Sequence, residues 1–196
     1  MRLRSLLATA VVSALTFGML MPGASASEQV VSTFDGTFAA QDKLAAYTAQ
    51  TSILPGEELT LRVRSANAWT TSIVRIGSYP GGDGKVMESA AQQSAAAQPD
   101  CTISAGTNMV ECPWTDSQNF TTSTWSTGLY VARIESSDGF TVAPFVVRAA
   151  NPAGRTLVNV GFLTMQAYNR FGGVSAYRGI DDTPTGKSTI VSFDRD

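Results

Sequence analysis

The chain contains no histidine. It therefore cannot by itself build a Ser-His-Asp or Cys-His nucleophile pair, a histidine general base working near neutral pH, or a zinc site of the usual histidine-containing kinds. Cysteine is nearly as scarce. The two residues present, Cys101 and Cys112, fall short of the four thiolates that an all-cysteine zinc site needs. Basic residues are few and never clustered, with 14 Lys and Arg against 16 Asp and Glu. Phosphate backbones are bound by clustered Lys and Arg, so nucleic acid is not an expected partner. Beyond residue 26 no stretch approaches the roughly 18 consecutive apolar residues of a membrane-spanning helix. Chemistry in this chain falls to carboxylate, phenol, amide or backbone groups.

What is present begins with an address. Arg2 and Arg4 precede an uncharged apolar stretch over residues 6–21, and Ala24-Ser25-Ala26 offers small residues for cleavage. Residues 1–26 are expected to be a signal peptide, so that the mature chain is secreted and makes no membrane contact after cleavage. Its 170 residues, with the net charge moved from −2 to −4 by loss of the two arginines, suffice for one ordinary domain that buries about 70% of its unfolded surface. In an exported chain Cys101 and Cys112 flank a turn-like centre, Ala105-Gly106-Thr107-Asn108, and can face each other across a hairpin as a disulfide. A catalytic cysteine or a metal pair is the alternative for them. Closing such a loop would stabilise the fold by roughly 3 kcal/mol in the chain-entropy model.

Period-2 alternation dominates the middle of the chain. Leu59-Thr60-Leu61-Arg62-Val63-Arg64-Ser65 alternates apolar with polar, the mark of a strand with one wet face. Residues 44–51, 69–76, 85–92, 129–135 and 140–148 supply further strands, and Ser136-Ser137-Asp138-Gly139 is a hairpin turn between the last two. Residues 27–40 form a ragged start. Residues 77–84, with four glycines, read as a β-turn loop, since no helix N-terminus follows to hold an anion. The fold class is mainly β: an antiparallel Ig-like or lectin-like β-sandwich over 27–148, followed by an incomplete α/β segment.

Residues 149–155, Ala-Asn-Pro-Ala-Gly-Arg after one more alanine, have the composition of a linker. The apolar or β-branched runs at 156–163 and 188–193 then suggest strands covered on both faces, as in a parallel sheet. Two such strands cannot cover themselves, so the segment 156–196 is expected to be the start of a domain that continues elsewhere or is completed by a partner chain. Several near-motifs in it are rejected. Gly173-Val174-Ser175-Ala176-Tyr177 has tyrosine where a nucleophile elbow needs its second glycine, and Gly186-Lys187-Ser188 has Asp181 where a phosphate loop needs its first. Asp181 and Asp182 can be metal ligands, an acid/base pair, or simply adjacent acids on a surface turn. Trp69, Tyr79, Trp114 and Trp125 can stack on sugar faces if exposed, which keeps a secreted carbohydrate- or cell-wall-binding module as the alternative function.

The stretch Thr164-Met165-Gln166-Ala167-Tyr168-Asn169-Arg170-Phe171-Gly172-Gly173-Val174-Ser175-Ala176-Tyr177 is not explained by turn chemistry alone. Gln-Ala-Tyr-Asn, an aromatic residue, Gly-Gly, then Ser and Tyr resembles the segment that opens the catalytic domain of the N,N-dimethylformamidase large-subunit family. Ser52-Ile53-Leu54-Pro55-Gly56-Glu57, Arg75-Ile76-Gly77-Ser78-Tyr79, Cys112-Pro113-Trp114, Ser126-Thr127-Gly128-Leu129-Tyr130, Pro144-Phe145-Val146-Val147-Arg148 and Val191-Ser192-Phe193-Asp194-Arg195 fall in that family's order. The resemblance implies an amide (C–N) hydrolase in which iron is held by tyrosine phenolates and a carboxylate. Tyr168 then becomes a candidate iron ligand, with Gln166, Asn169 and Tyr177 as its hydrogen-bonding or substrate-side neighbours. A single ligand holds no metal, so the chain is expected to be a truncated member that binds no iron and is inactive alone.

Overall fold

Alternation translates directly into two facing sheets. The computed structural model describes residues 29–196, so the expected signal peptide lies outside the described residues. Within them the strands are β1 (Val30–Val31), β2 (Leu44–Thr48), β3 (Ser52–Ile53), β4 (Glu58–Ser65), β5 (Trp69–Tyr79), β6 (Gly82–Ser89), β7 (Thr102–Ile103), β8 (Val110–Glu111), β9 (Gln118–Thr121), β10 (Gly128–Ser136) and β11 (Gly139–Val147). One helix, α1 (Phe162–Tyr168), follows. A six-stranded sheet runs β1-β6-β5-β10-β11-β3, and a three-stranded sheet runs β2-β4-β9. Neighbours are antiparallel except β11 and β3. The mainly β sandwich expected from the sequence is what forms.

In β4 the side chains of Leu59, Leu61 and Val63 are all fully buried. They meet Tyr130, Ala132 and Ile134 of β10 and Ala143, Phe145 and Val147 of β11 in one core cluster. Rings set its centre: Tyr130 stacks on Phe145 at 5.4 Å and on Trp125 at 5.8 Å. Its hydroxyl escapes an unpaired burial by donating to the Ser126 carbonyl at 2.5 Å. Each such ring contributes on the order of 1.5–3 kcal/mol by leaving water.

Three expectations are corrected here. The ragged start is partly built in, since β1 pairs with β6 through Val30↔Lys85 and Val31↔Gly84. The glycine-rich stretch 77–84 does hold the expected β-turn, but the turn is confined to Pro80-Gly81 of a tight hairpin, with Tyr79 opposite Gly82. Its glycines serve close approach: a Cβ on Gly82 would strike the Val31 carbonyl, and one on Gly84 would strike Thr33 and Val74. The runs 156–163 and 188–193 are not strands. Leu157 and Val158 are 92% and 74% exposed beside no sheet edge, and the backbone turns at residue 161 into α1. Ser188 and Thr189 donate singly to the carbonyls of Ser175 and Thr107, a pair of tethers in place of a ladder. A β-rich composition makes a strand only where a neighbouring edge accepts its hydrogen bonds.

The small sheet is covered on its outer side as well, and this places the site. Every residue of β2 is buried. Leu44 and Ala46 face the sandwich core, while Ala45 and Tyr47 join Cys112, Trp114 and Phe171 in a second cluster. Phe171, from the C-terminal segment, presents its edge to Trp114 at 5.8 Å and 87°. The segment 156–196 therefore lies against the sandwich through the outer face of β2.

Candidate functional site

The hairpin β7–β8 clasps the segment to the sandwich. Cys101 and Cys112 are joined by a disulfide, which excludes a thiolate role for either. The Cys112 amide donates to the Asp194 carbonyl at 2.7 Å, and the Tyr47 hydroxyl donates to the Cys112 carbonyl at 2.5 Å. Gly172 passes so close to Val110 that a Cβ there would strike the valine side chain, and its φ of +80° also favours glycine. Sulfur link, buried ring and bare backbone together hold 164–177 in place.

Helix α1 delivers Gln166 and Tyr168, and Asn169 ends it. The Asn169 side chain ties three points. Its Oδ1 accepts the Phe171 amide at 2.8 Å, and its Nδ2 donates to Gln166 Oε1 at 2.9 Å and to the Asp196 carbonyl. Gln166 and Asn169, expected as hydrogen-bonding neighbours of Tyr168, are thus bonded to each other. Tyr168 and Tyr177 also meet, as a stacked pair with centroids 4.4 Å apart, both rings more than half exposed.

Two residues missed from the sequence complete the arrangement. Arg195 is 1% exposed. Its Nε donates to Gln166 Oε1 at 3.3 Å, Nη2 to the Gln166 carbonyl at 2.7 Å and Nη1 to the Val174 carbonyl at 3.0 Å. Asp196 accepts the Ala46 amide at 2.8 Å on Oδ1. Burial pushes the Asp196 carboxyl up to about 7, against the smaller opposing effects of the Ala46 amide, the Arg64 charge and Thr141. Arg195 is marked in the sequence only as the last residue of the family-like run 191–195, and Asp196 not at all; their burial is created by the docking itself.

Between the segment and the sheets lies a cleft of about 700 Å³. The sandwich contributes an apolar wall that includes Ile76, Leu129, Val131, Val142 and Pro144. The segment contributes Met165 and the polar side chains of Gln166, Tyr168, Asn169, Arg195 and Asp196. A mostly apolar concavity with a few converging polar groups is the usual form of a small-molecule site.

Other candidates resolve into structure. Ser175 is buried, and its Oγ accepts the amides of Tyr177 and Arg178 at 3.2 and 3.1 Å, as a turn cap does. Asp181 caps Thr183, which holds its carboxyl below the usual range, and Asp182 pairs with Arg170. Trp69, Trp114 and Trp125 are each 2–3% exposed, so no sugar-stacking platform is built from them. Among the described residues no group of three or more His, Cys, Asp or Glu side chains is placed to hold a metal ion. No helix among them is long and apolar enough to cross a membrane.

A family model described as N,N-dimethylformamidase beta subunit-like, C-terminal, matches residues 70–196, about two thirds of the chain. The matched stretch starts one residue into β5 and takes in both β10–β11 and the whole docked segment. No curated protein matches the chain.

Proposed function

The chain belongs to the N,N-dimethylformamidase beta subunit-like family, and from that premise we propose that it is a secreted member whose sandwich (27–148) carries the opening of an amide-hydrolysing domain (156–196), with 149–155 as the connection. The observation that carries this reading is the cleft. Gln166, Tyr168 and Asn169, the residues singled out by family resemblance, all line the same apolar concavity, and Tyr177 stacks on Tyr168 at its edge. An amide substrate would place its alkyl groups on the Leu129, Val131 and Val142 wall and its carbonyl toward the polar end.

In this reading Tyr168 supplies one phenolate to an iron site, and the other donors come from outside the described residues. The chain alone is accordingly inactive. A ferric titration tests the assignment, since phenolate bound to Fe(III) gives a visible charge-transfer absorption. The isolated chain should show neither that band nor hydrolysis of N-alkyl amides, whereas a chain extended or complemented by the missing donors should show both. Tyr168→Phe should abolish both in the complemented protein; retention of iron and activity in that variant would remove Tyr168 from the site. A carbohydrate-binding role would instead rest on exposed rings of the sandwich. The stacked pair whose rings are both exposed, Tyr168 and Tyr177, lies outside it.

A further inference from the structure

We propose that the cleft is a binding site for carboxylate ligands with an apolar body, and that Arg195 is the residue that takes the carboxylate. This rests on the cleft being the ligand site of the family reading, and it names the class of molecule that would enter.

The charge of Arg195 is the starting point. The side chain is 99% buried, as its 1% exposure requires, and lines the cleft. Among the described residues it takes part in no ion pair; the arginines that do are Arg62, Arg64, Arg133 and Arg170. Burial alone acts on its pKa, which is lowered with no neighbouring charge contributing. A guanidinium taken out of water without a counter-charge is costly, and an anion placed beside it offsets that cost.

Donor capacity agrees. Arg195 has five N–H groups, of which one on Nε, one on Nη1 and one on Nη2 reach Gln166 and Val174. One N–H on each of Nη1 and Nη2 has no acceptor among the described residues. A guanidinium with N–H groups to spare suits a charged carboxylate better than a neutral carbonyl oxygen. The three bonds already made fix the fork, so little side-chain freedom is lost when a ligand arrives.

The remainder of the cleft fixes the rest of the ligand. Its wall of Ile76, Leu129, Val131, Val142 and Pro144 has no charge, and about 700 Å³ exceeds what a dimethylated one-carbon amide would fill. Asp196 shares the cleft, and its carboxyl, pushed up to about 7 by burial, does not place a full negative charge there at neutral pH and below. An aliphatic or aromatic body with one carboxylate, such as a carboxylated amide, satisfies both ends.

The test is calorimetric titration of the whole chain at pH 6.5 with hexanoate and with hexanamide, which share shape and differ in charge. Hexanoate should bind at least about tenfold more tightly than hexanamide. Arg195→Gln should bring the two affinities together, and Arg195→Lys, which keeps the charge but loses the fork, should retain part of the preference. Equal binding of the two ligands, binding of neither, or a preference that survives Arg195→Gln would overturn the proposal. If Arg195→Gln does not fold, the ratio in the unaltered chain and in Arg195→Lys decides. The readout needs neither iron nor turnover. Tight hexanoate binding without hydrolysis in the complemented protein counts against the catalytic reading alone, and hydrolysis of neutral amides with no carboxylate preference counts against this one alone.

Discussion

The sandwich and the segment that follows it hold themselves together by different means. In the sandwich, large apolar side chains point inward in register, and Phe34, Phe38 and Ile103 are its exposed exceptions. In 156–196 the proportion reverses: Leu157, Val158, Leu163, Met165, Tyr168, Tyr177, Ile180 and Ile190 are exposed, while Phe171 and Val174 are the buried large apolar residues. The segment is fixed by the Phe171 ring, the Arg195 and Asp196 anchors, and backbone tethers to the disulfide hairpin. An area-driven core resists change everywhere at once. A structure pinned at a few polar points fails at those points and leaves its support standing.

The largest expected effect separates the two regions most clearly. Phe145→Ala empties the centre of the ring cluster and should cost about 3–5 kcal/mol in urea unfolding of the whole chain. A smaller global loss follows from Cys101→Ser with Cys112→Ser, about 3 kcal/mol in the chain-entropy model. That pair should also speed hydrogen exchange at Ser188 and Thr189, because the strap between sandwich and segment is loosened. If exchange in the segment is unchanged, the hairpin does not act as its clasp.

The fold is legible where local pattern and tertiary partner agree. Residues 59–65, 129–135 and 140–148 alternate because each has a neighbouring strand and one wet face, and all three are strands. The two-residue strands β1, β3, β7 and β8 are too short to leave a period, although the flanking cysteines revealed the last two as a hairpin. The runs 156–163 and 188–193 misled because β-branched residues there have no sheet edge to join. In the cleft, Gln166 and Asn169 stand out through their resemblance to the family segment, although their bond is to each other and was expected to be to Tyr168. The burial of Arg195 and Asp196 was invisible, even with Arg195 inside a family-like run, since a charged residue is buried only by what packs over it.

Acidity provides a subtler probe of the pinned region. The carboxyl of Asp196 has its folded-state pKa raised above its unfolded value, chiefly by desolvation. Its contribution to docking is therefore full below about pH 4 and is lost as pH rises through about 7. Exchange in 166–195 should be slower at pH 5 than at pH 8 after correction for the intrinsic rate, with the sandwich strands unaffected; Asp196→Asn should flatten the difference. The smallest effect is expected at the exposed stack. Tyr168→Phe should change stability by no more than about 0.5 kcal/mol in thermal unfolding, because the ring stays and only an exposed hydroxyl is removed. A larger loss would make Tyr168 a structural residue and weaken its assignment to the site.

The docking of 156–196 onto the sandwich is tested most directly at one amide. Ala46 lies in β2, at the edge of the three-stranded sheet, and its N–H is directed to Asp196. Hydrogen exchange at Ala46, read by NMR at pH 6, should be strongly protected in the intact chain and should rise to the rate of a free edge amide in Asp196→Ala, while Val63 beside it in β4 stays protected. Exchange at Ala46 that is already fast in the intact chain would mean that the segment does not close the cleft, and the site described above would not exist in solution.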